Sequence, residues 1–92
     1  MVPIHPGRIL RRELRARNLS ANALARALRV PSGRIVDILN GKRAISAETA
    51  LRLGRYFGNA PQFWVNLQAQ YELALAIREV GELVASEVET AA

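Results

Sequence analysis

The sequence predicts an all-α protein, a bundle of five helices forming a single domain over residues 1–92. Three observations carry that reading. Apolar residues recur at helical spacing in successive short segments. Residues that open and close helices bound those segments, with Pro6, Ser20, Ser46 and Pro61 at starts and Asn40-Gly41 and Gly58-Asn59 at ends. The chain also has no cysteine in its 92 residues, so no disulfide or cysteine-bound zinc braces it. Helix packing must therefore hold together a domain near the small end of the stable range.

Met1–Ile4 reads as an extended arm. His5-Pro6-Gly7 opens the first helix, with Pro6 at the first position, where a missing N–H costs nothing, and His5 as a capping residue. Ile9, Leu10 and Leu14 give this helix one buried face. Arg8, Arg11, Arg12 and Arg15 fall at i, i+3, i+4 and i+7 and share a stripe. Such a stripe suits a phosphate backbone or, equally, a solvated face partly paired with Glu13.

Asn18-Leu19 makes the corner into a helix-turn-helix at residues 20–40. Ser20 caps ANALARAL, in which Leu24, Ala25 and Leu28 share a face, and the small Ala25 lets the next helix cross closely. After Arg29-Val30-Pro31 a second apolar set follows, Ile35, Ile38 and Leu39, ending at Asn40-Gly41. The outer face of that second helix is Ser32, Gly33, Arg34 and Asp37. Gly41-Lys42-Arg43-Ala44-Ile45 then forms a loop with two cations in its middle and an isoleucine to anchor it. Ser46 caps a fourth helix that carries Glu48 in its first turn, where the helix dipole favours an anion. Ala47, Ala50, Leu51, Leu53, Gly54 and Phe57 are its expected buried surface, with Arg52 and Arg55 outside.

Pro61 starts the fifth helix, lined on one side by Phe63, Trp64, Leu67, Tyr71, Ala74 and Leu75. This side reads mainly as core closing over helices one and four, with a dimer seam as the other use of it. From Ile77 to Val88 the apolar pattern continues through Val80, Leu83 and Val84, interrupted by Gly81 and surrounded by Glu79, Glu82, Glu87 and Glu89. Nothing upstream covers this acidic extension, residues 61–92 being the C-terminal unit of the bundle. Tyr71, Ile77, Val80, Leu83 and Val84 are the candidate residues for a dimer or partner interface.

Charge divides unevenly along the chain. Residues 1–60 hold 12 Lys and Arg against 3 acids, a net of +9, whereas residues 61–92 hold one arginine and five glutamates, a net of −4, within a total of +5. A basic body with an acidic end suits a polyanion partner for the first part and a different partner for the second. No stretch reaches the roughly 20 apolar residues of a membrane span, and the start lacks the apolar core of a signal peptide, so the expected location is the cytoplasm.

Catalysis finds little support. His5 is the one histidine, and no second histidine or cysteine completes a metal or nucleophile set; no cofactor is implied. Duplex DNA binding has a mechanism for each part. The N-terminal half of the second motif helix enters the major groove, so Ser32, Gly33, Arg34 and Asp37 are the groups that reach base edges. Arg34 suits a guanine and Asp37 a cytosine; the two residues, three apart, also suit pairing with each other on the helix surface. Asn40, Lys42 and Arg43 suit phosphate contacts that fix register, and the helix start at Ser20 and Ala21 offers backbone N–H to another phosphate.

With these residues in place the chain resembles the lambda-repressor-like, or Xre, helix-turn-helix family, and more narrowly the HigA antitoxins. Leu24-Ala25, Ile35, Leu39, Asn40-Gly41-Lys42 and Leu53 carry the general pattern. The narrower one lies in His5-Pro6-Gly7-Arg8-Ile9-Leu10, in Gly41 to Ser46 followed by Thr49 to Leu53, and in Phe63-Trp64-Val65-Asn66-Leu67-Gln68 with Tyr71. The resemblance implies the antitoxin of a type II toxin–antitoxin module. Such a protein binds a RelE-like (HigB) toxin that cleaves messenger RNA and, as a homodimer, represses its own operon at a palindromic operator. A stand-alone Xre repressor and a module that has lost DNA binding are the alternatives. Two positions depart from the pattern. Arg29 stands where glycine is common in the turn, so a left-handed backbone there carries strain. Gly33 and Ala21 stand where related repressors place long polar side chains, which leaves base readout to backbone contacts, Arg34, Asp37 and DNA shape.

Overall fold

A computed structural model describes residues 2–91 and contains five helices with no strand among them. They are α1 (Pro6–Ala16), α2 (Ala21–Leu28), α3 (Ser32–Leu39), α4 (Ala47–Phe57) and α5 (Pro61–Glu87). The starts are chemically specified. His5, Ser20 and Ser46 each accept a first-turn N–H through a side chain, and Pro6 and Pro61 occupy the first turns of α1 and α5. Of the expected arm, residues 2–4 have no regular structure and Met1 lies outside the described residues.

One core joins all five helices. Leu10 and Leu14 of α1, Leu24, Ala25 and Leu28 of α2, Ile35 and Ile38 of α3, Ala50 and Leu53 of α4 and Trp64 of α5 are buried together, with Ile45 sealing the loop between α3 and α4. Trp64 is its largest member. Its indole N–H donates to Asn59 Oδ1 at 3.1 Å, so burial leaves no orphan donor. No helix among the described residues is long and apolar enough to cross a membrane.

Four expectations are corrected. Ala47, at the start of α4, is exposed rather than buried. Leu51 points outward, 60% exposed, because α4 buries Ala50 and Leu53 and one helix cannot also bury the residue between them. Phe63 likewise stays 43% exposed, since its neighbour Trp64 takes the inward direction and Phe63 packs edge-on against it. Arg52 is not simply outside. Its guanidinium donates to Leu28 O at 2.9 Å and closes the end of α2 from α4. Gly81 breaks the apolar pattern but not the helix, and α5 runs on as one helix to Glu87. At 27 residues that helix is about 40 Å long by its rise per residue. Its C-terminal half projects from the body, and the molecule measures 50 × 22 × 22 Å.

Candidate nucleic-acid interface

The turn between α2 and α3 is held by two donors, Val30 N–H and the Arg52 guanidinium. Arg29 adopts the left-handed conformation, with φ 60° and ψ 43°, so the strain expected of a non-glycine residue is present. The N–H of Val30 returns to Ala25 O at 3.0 Å, and Arg52 holds Leu28 O from the side. Ser20 Oγ accepts the Ala23 N–H at 3.0 Å, which sets the start of α2 at the surface beside Ala21.

Ile35 and Ile38 are fully buried and orient α3, leaving Ser32, Gly33 and Val36 exposed and Arg34 and Asp37 half-buried on the outer side. No side chain caps α3, so the N–H groups of its first turn have no side-chain acceptor. Arg34 does not pair with Asp37. Its guanidinium lies 3.7 Å from Glu48 on α4, and Glu48 also pairs with Arg52 at 3.1 Å.

The cationic loop after α3 is pinned at both ends. Arg11 of α1 reaches Leu39 O and Asn40 Oδ1, each at 3.3 Å, and Lys42 N–H donates to Asp37 O at 2.8 Å. Thus Arg11 leaves the solvated stripe to close the end of α3, and the Asn40 side chain has an intramolecular partner. Farther on, Ile45 N–H donates to Oε1 of the buried Gln68 at 2.8 Å. Between these anchors Lys42 and Arg43 are exposed, and neither joins an ion pair among the described residues. Gly41, at φ +73°, makes the bend that aims them outward.

His5 supports this loop from beneath. Its Nδ1 accepts the Gly7 N–H at 2.9 Å, its ring meets Tyr71 of α5 edge-on at 4.9 Å, and the backbone of Arg43 is hydrogen-bonded to it. Desolvation lowers its pKa below the usual 6.5, and the Arg43 bond only partly opposes this. The unfolded chain therefore takes up the proton first. The stability His5 contributes is full above pH 6.5 and is lost as pH falls through the lower, folded value. We expect the melting temperature to drop between pH 7 and pH 5 by more in the native chain than in His5→Asn, whose amide oxygen caps without titrating. Parallel slopes in thermal melts would remove His5 from this role.

The structure brings Ser32, Gly33, Arg34, Asp37, Lys42 and Arg43 onto the surface formed by α3 and the loop that follows it. It separates Tyr71 from the other interface candidates. Tyr71 is half-buried against His5, while Ile77, Val80, Leu83 and Val84 are all exposed on the projecting part of α5. Sequence reasoning missed two exposed residues. Val36, 40% exposed, lies on the outer face of α3, and its signal was an apolar residue out of phase with Ile35 and Ile38. Leu73, 56% exposed, extends the α5 stripe by one turn, four residues before Ile77.

Two short helices crossing at a fixed turn, with a polar outer face on the second, define the helix-turn-helix class. A family profile described as helix-turn-helix matches residues 10–64. The chain belongs to this family, of Xre type with an all-α lambda-repressor-like fold, and its structural neighbours are HigA antitoxins. Virulence-associated protein I of Dichelobacter nodosus is 53% identical over 77 residues, covering 83% of this chain and 71% of that protein. An addiction module antidote protein of the HigA family from Coxiella burnetii superposes with a TM-score of 0.95 at 47% identity, covering 98% of this chain and 99% of that one. The Pseudomonas aeruginosa antitoxin HigA, solved with the higBA promoter, gives 0.95 at 48% identity, covering 99% and 100%.

Proposed function

We propose that this protein is the antitoxin of a type II toxin–antitoxin module, a DNA-binding repressor rather than an enzyme. It binds palindromic operator DNA as a homodimer, represses its own operon, and holds a RelE-like toxin. The observation that carries the reading is the loop after α3. Among the described residues Lys42 and Arg43 join no ion pair, while both flanks of the loop are tied to α1 and α5. Preorganised cations after the end of α3, with the uncapped start of the same helix at its other end, fit a phosphate backbone and an adjoining groove. That the similar Pseudomonas aeruginosa HigA was solved with the higBA promoter supports DNA as the partner.

Dimerisation rests on α5. Leu73, Ile77, Val80, Val84 and Val88 follow one another at intervals of four, three, four and four residues, a continuous exposed stripe flanked by glutamates. Paired across such a stripe, two recognition helices enter successive major grooves about 34 Å apart.

Binding to the DNA upstream of the gene, measured against salt, tests the DNA half. Lys42→Ala and Arg43→Ala should each weaken operator and random duplex alike and reduce the slope of log K against log salt by about 1. Arg34→Ala should instead lower operator affinity by about 1–3 kcal/mol and leave random DNA nearly unchanged. Equal effects of all three on both duplexes would show that α3 is not the reader. Co-expression with the neighbouring small open reading frame tests the toxin half. Co-purification of a partner that is toxic alone supports it, and a lone protein that still retards its promoter leaves a stand-alone repressor.

A further inference from the structure

We infer that Val36, together with the gap left by Gly33, is a recognition site for a thymine 5-methyl group in the operator; this rests on the DNA-binding reading above. Val36 is 40% exposed and takes no part in the core, which α3 fills with Ile35 and Ile38. It therefore contributes nothing evident to holding the helix in place. A helical side chain leans toward the N-terminus, over the turn that precedes it. One turn before Val36 stands Gly33, where an added Cβ would meet nothing within 4 Å. Val36 is thus an exposed apolar side chain on the outer face, with open space over the neighbouring turn at Gly33.

Arg34, which lies between Gly33 and Val36 in sequence, has its guanidinium 3.7 Å from Glu48 of α4. A polar base edge set against Val36 would lose water without gaining a partner. The major-groove edges of the four bases offer one aliphatic group, the methyl of thymine, and an apolar side chain is its ordinary partner. Gly33 lets the helix approach closely enough for that contact. The absence of a long side chain there then permits readout of thymine by shape and burial.

The test uses the full-length protein and a duplex carrying the upstream sequence it footprints, with each thymine replaced singly by deoxyuridine, which removes only the methyl. For the native chain, one thymine position per half-site should lower affinity about fourfold when changed, the effect of burying one methylene-sized group. In Val36→Ala that position should become insensitive, while the binding constant for random duplex stays as in the native chain. Val36→Thr, which keeps a branched methyl, should restore part of the sensitivity. Uracil tolerated at every position, or an equal loss in Val36→Ala, would overturn the assignment while leaving DNA binding intact. A native chain that binds neither duplex would overturn both readings at once.

Discussion

Gly7→Ala is expected to destabilise the fold by about 3 kcal/mol, at the upper end of the range for overpacking. A Cβ at this position would overlap the carbonyl oxygen of Ile38 and lie 2.9 Å from its carbonyl carbon. Both atoms belong to backbone in the last turn of α3, so no side-chain rotation relieves the overlap. That carbonyl also accepts the Gly41 N–H at 3.1 Å, which starts the cationic loop. Either α1 moves away, taking Leu10 from the core and Arg11 from Leu39 O, or the end of α3 moves and carries the loop with it. For a domain of this size the total stability is about 5–14 kcal/mol, and the loss corresponds to about 15 °C in melting temperature. Gly33→Ala is the control. With nothing near its added methyl it should be neutral or gain up to about 1 kcal/mol from helix propensity. Urea titration followed by circular dichroism separates the two. Melting of Gly7→Ala within 2–3 °C of the native chain, roughly a half kcal/mol, would mean that α1 and α3 do not approach as closely as described.

The contrast between these two glycines shows where sequence reading succeeds and where it stops. Helix starts and ends were legible because their causes are local: Ser20 bonds three residues ahead, and Pro6 and Pro61 lack the N–H that a first turn leaves unused. The left-handed Arg29 was legible through the resemblance, which puts glycine at that turn. The role of Gly7 was not, since the atom it must avoid lies thirty-one residues away in sequence. Spacing also could not choose between the neighbours Phe63 and Trp64, because either satisfies the period and only packing selects the inward one, whereas Leu51 stands out of phase with Ala50, Leu53, Gly54 and Phe57.

Arginine partners were the largest gap. Local spacing suggested Arg34 with Asp37, yet the long side chains of Arg11, Arg34 and Arg52 all reach across to another helix, ending on Leu39 O, Glu48 and Leu28 O. Three of the twelve cations in residues 1–60 therefore help to fasten the motif. Buried Gln68 was missed for a related reason: a polar residue in an apolar stretch looks exposed until its partner, Ile45 N–H, is in view.

The seam on α5 makes the second large prediction, since it separates folding from operator binding. Val80 and Val84 lie one turn apart on the exposed stripe and contact no part of the core. Val80→Glu with Val84→Glu should leave the melting curve of the monomer nearly unchanged, because no packed side chain is lost. In a dimer the same change sets glutamates against glutamates in a segment already carrying Glu79, Glu82 and Glu87. Light scattering should then report a monomer at concentrations where the native chain is dimeric. Operator affinity should fall about 10²–10⁴-fold, the gain that tethering two half-site contacts provides, while affinity for an isolated half-site stays the same. If the variant remained a dimer, the seam would lie elsewhere on the molecule. If it became a monomer and bound the full operator undiminished, recognition would be carried by one protomer, and the projecting half of α5 would have to be assigned to another partner.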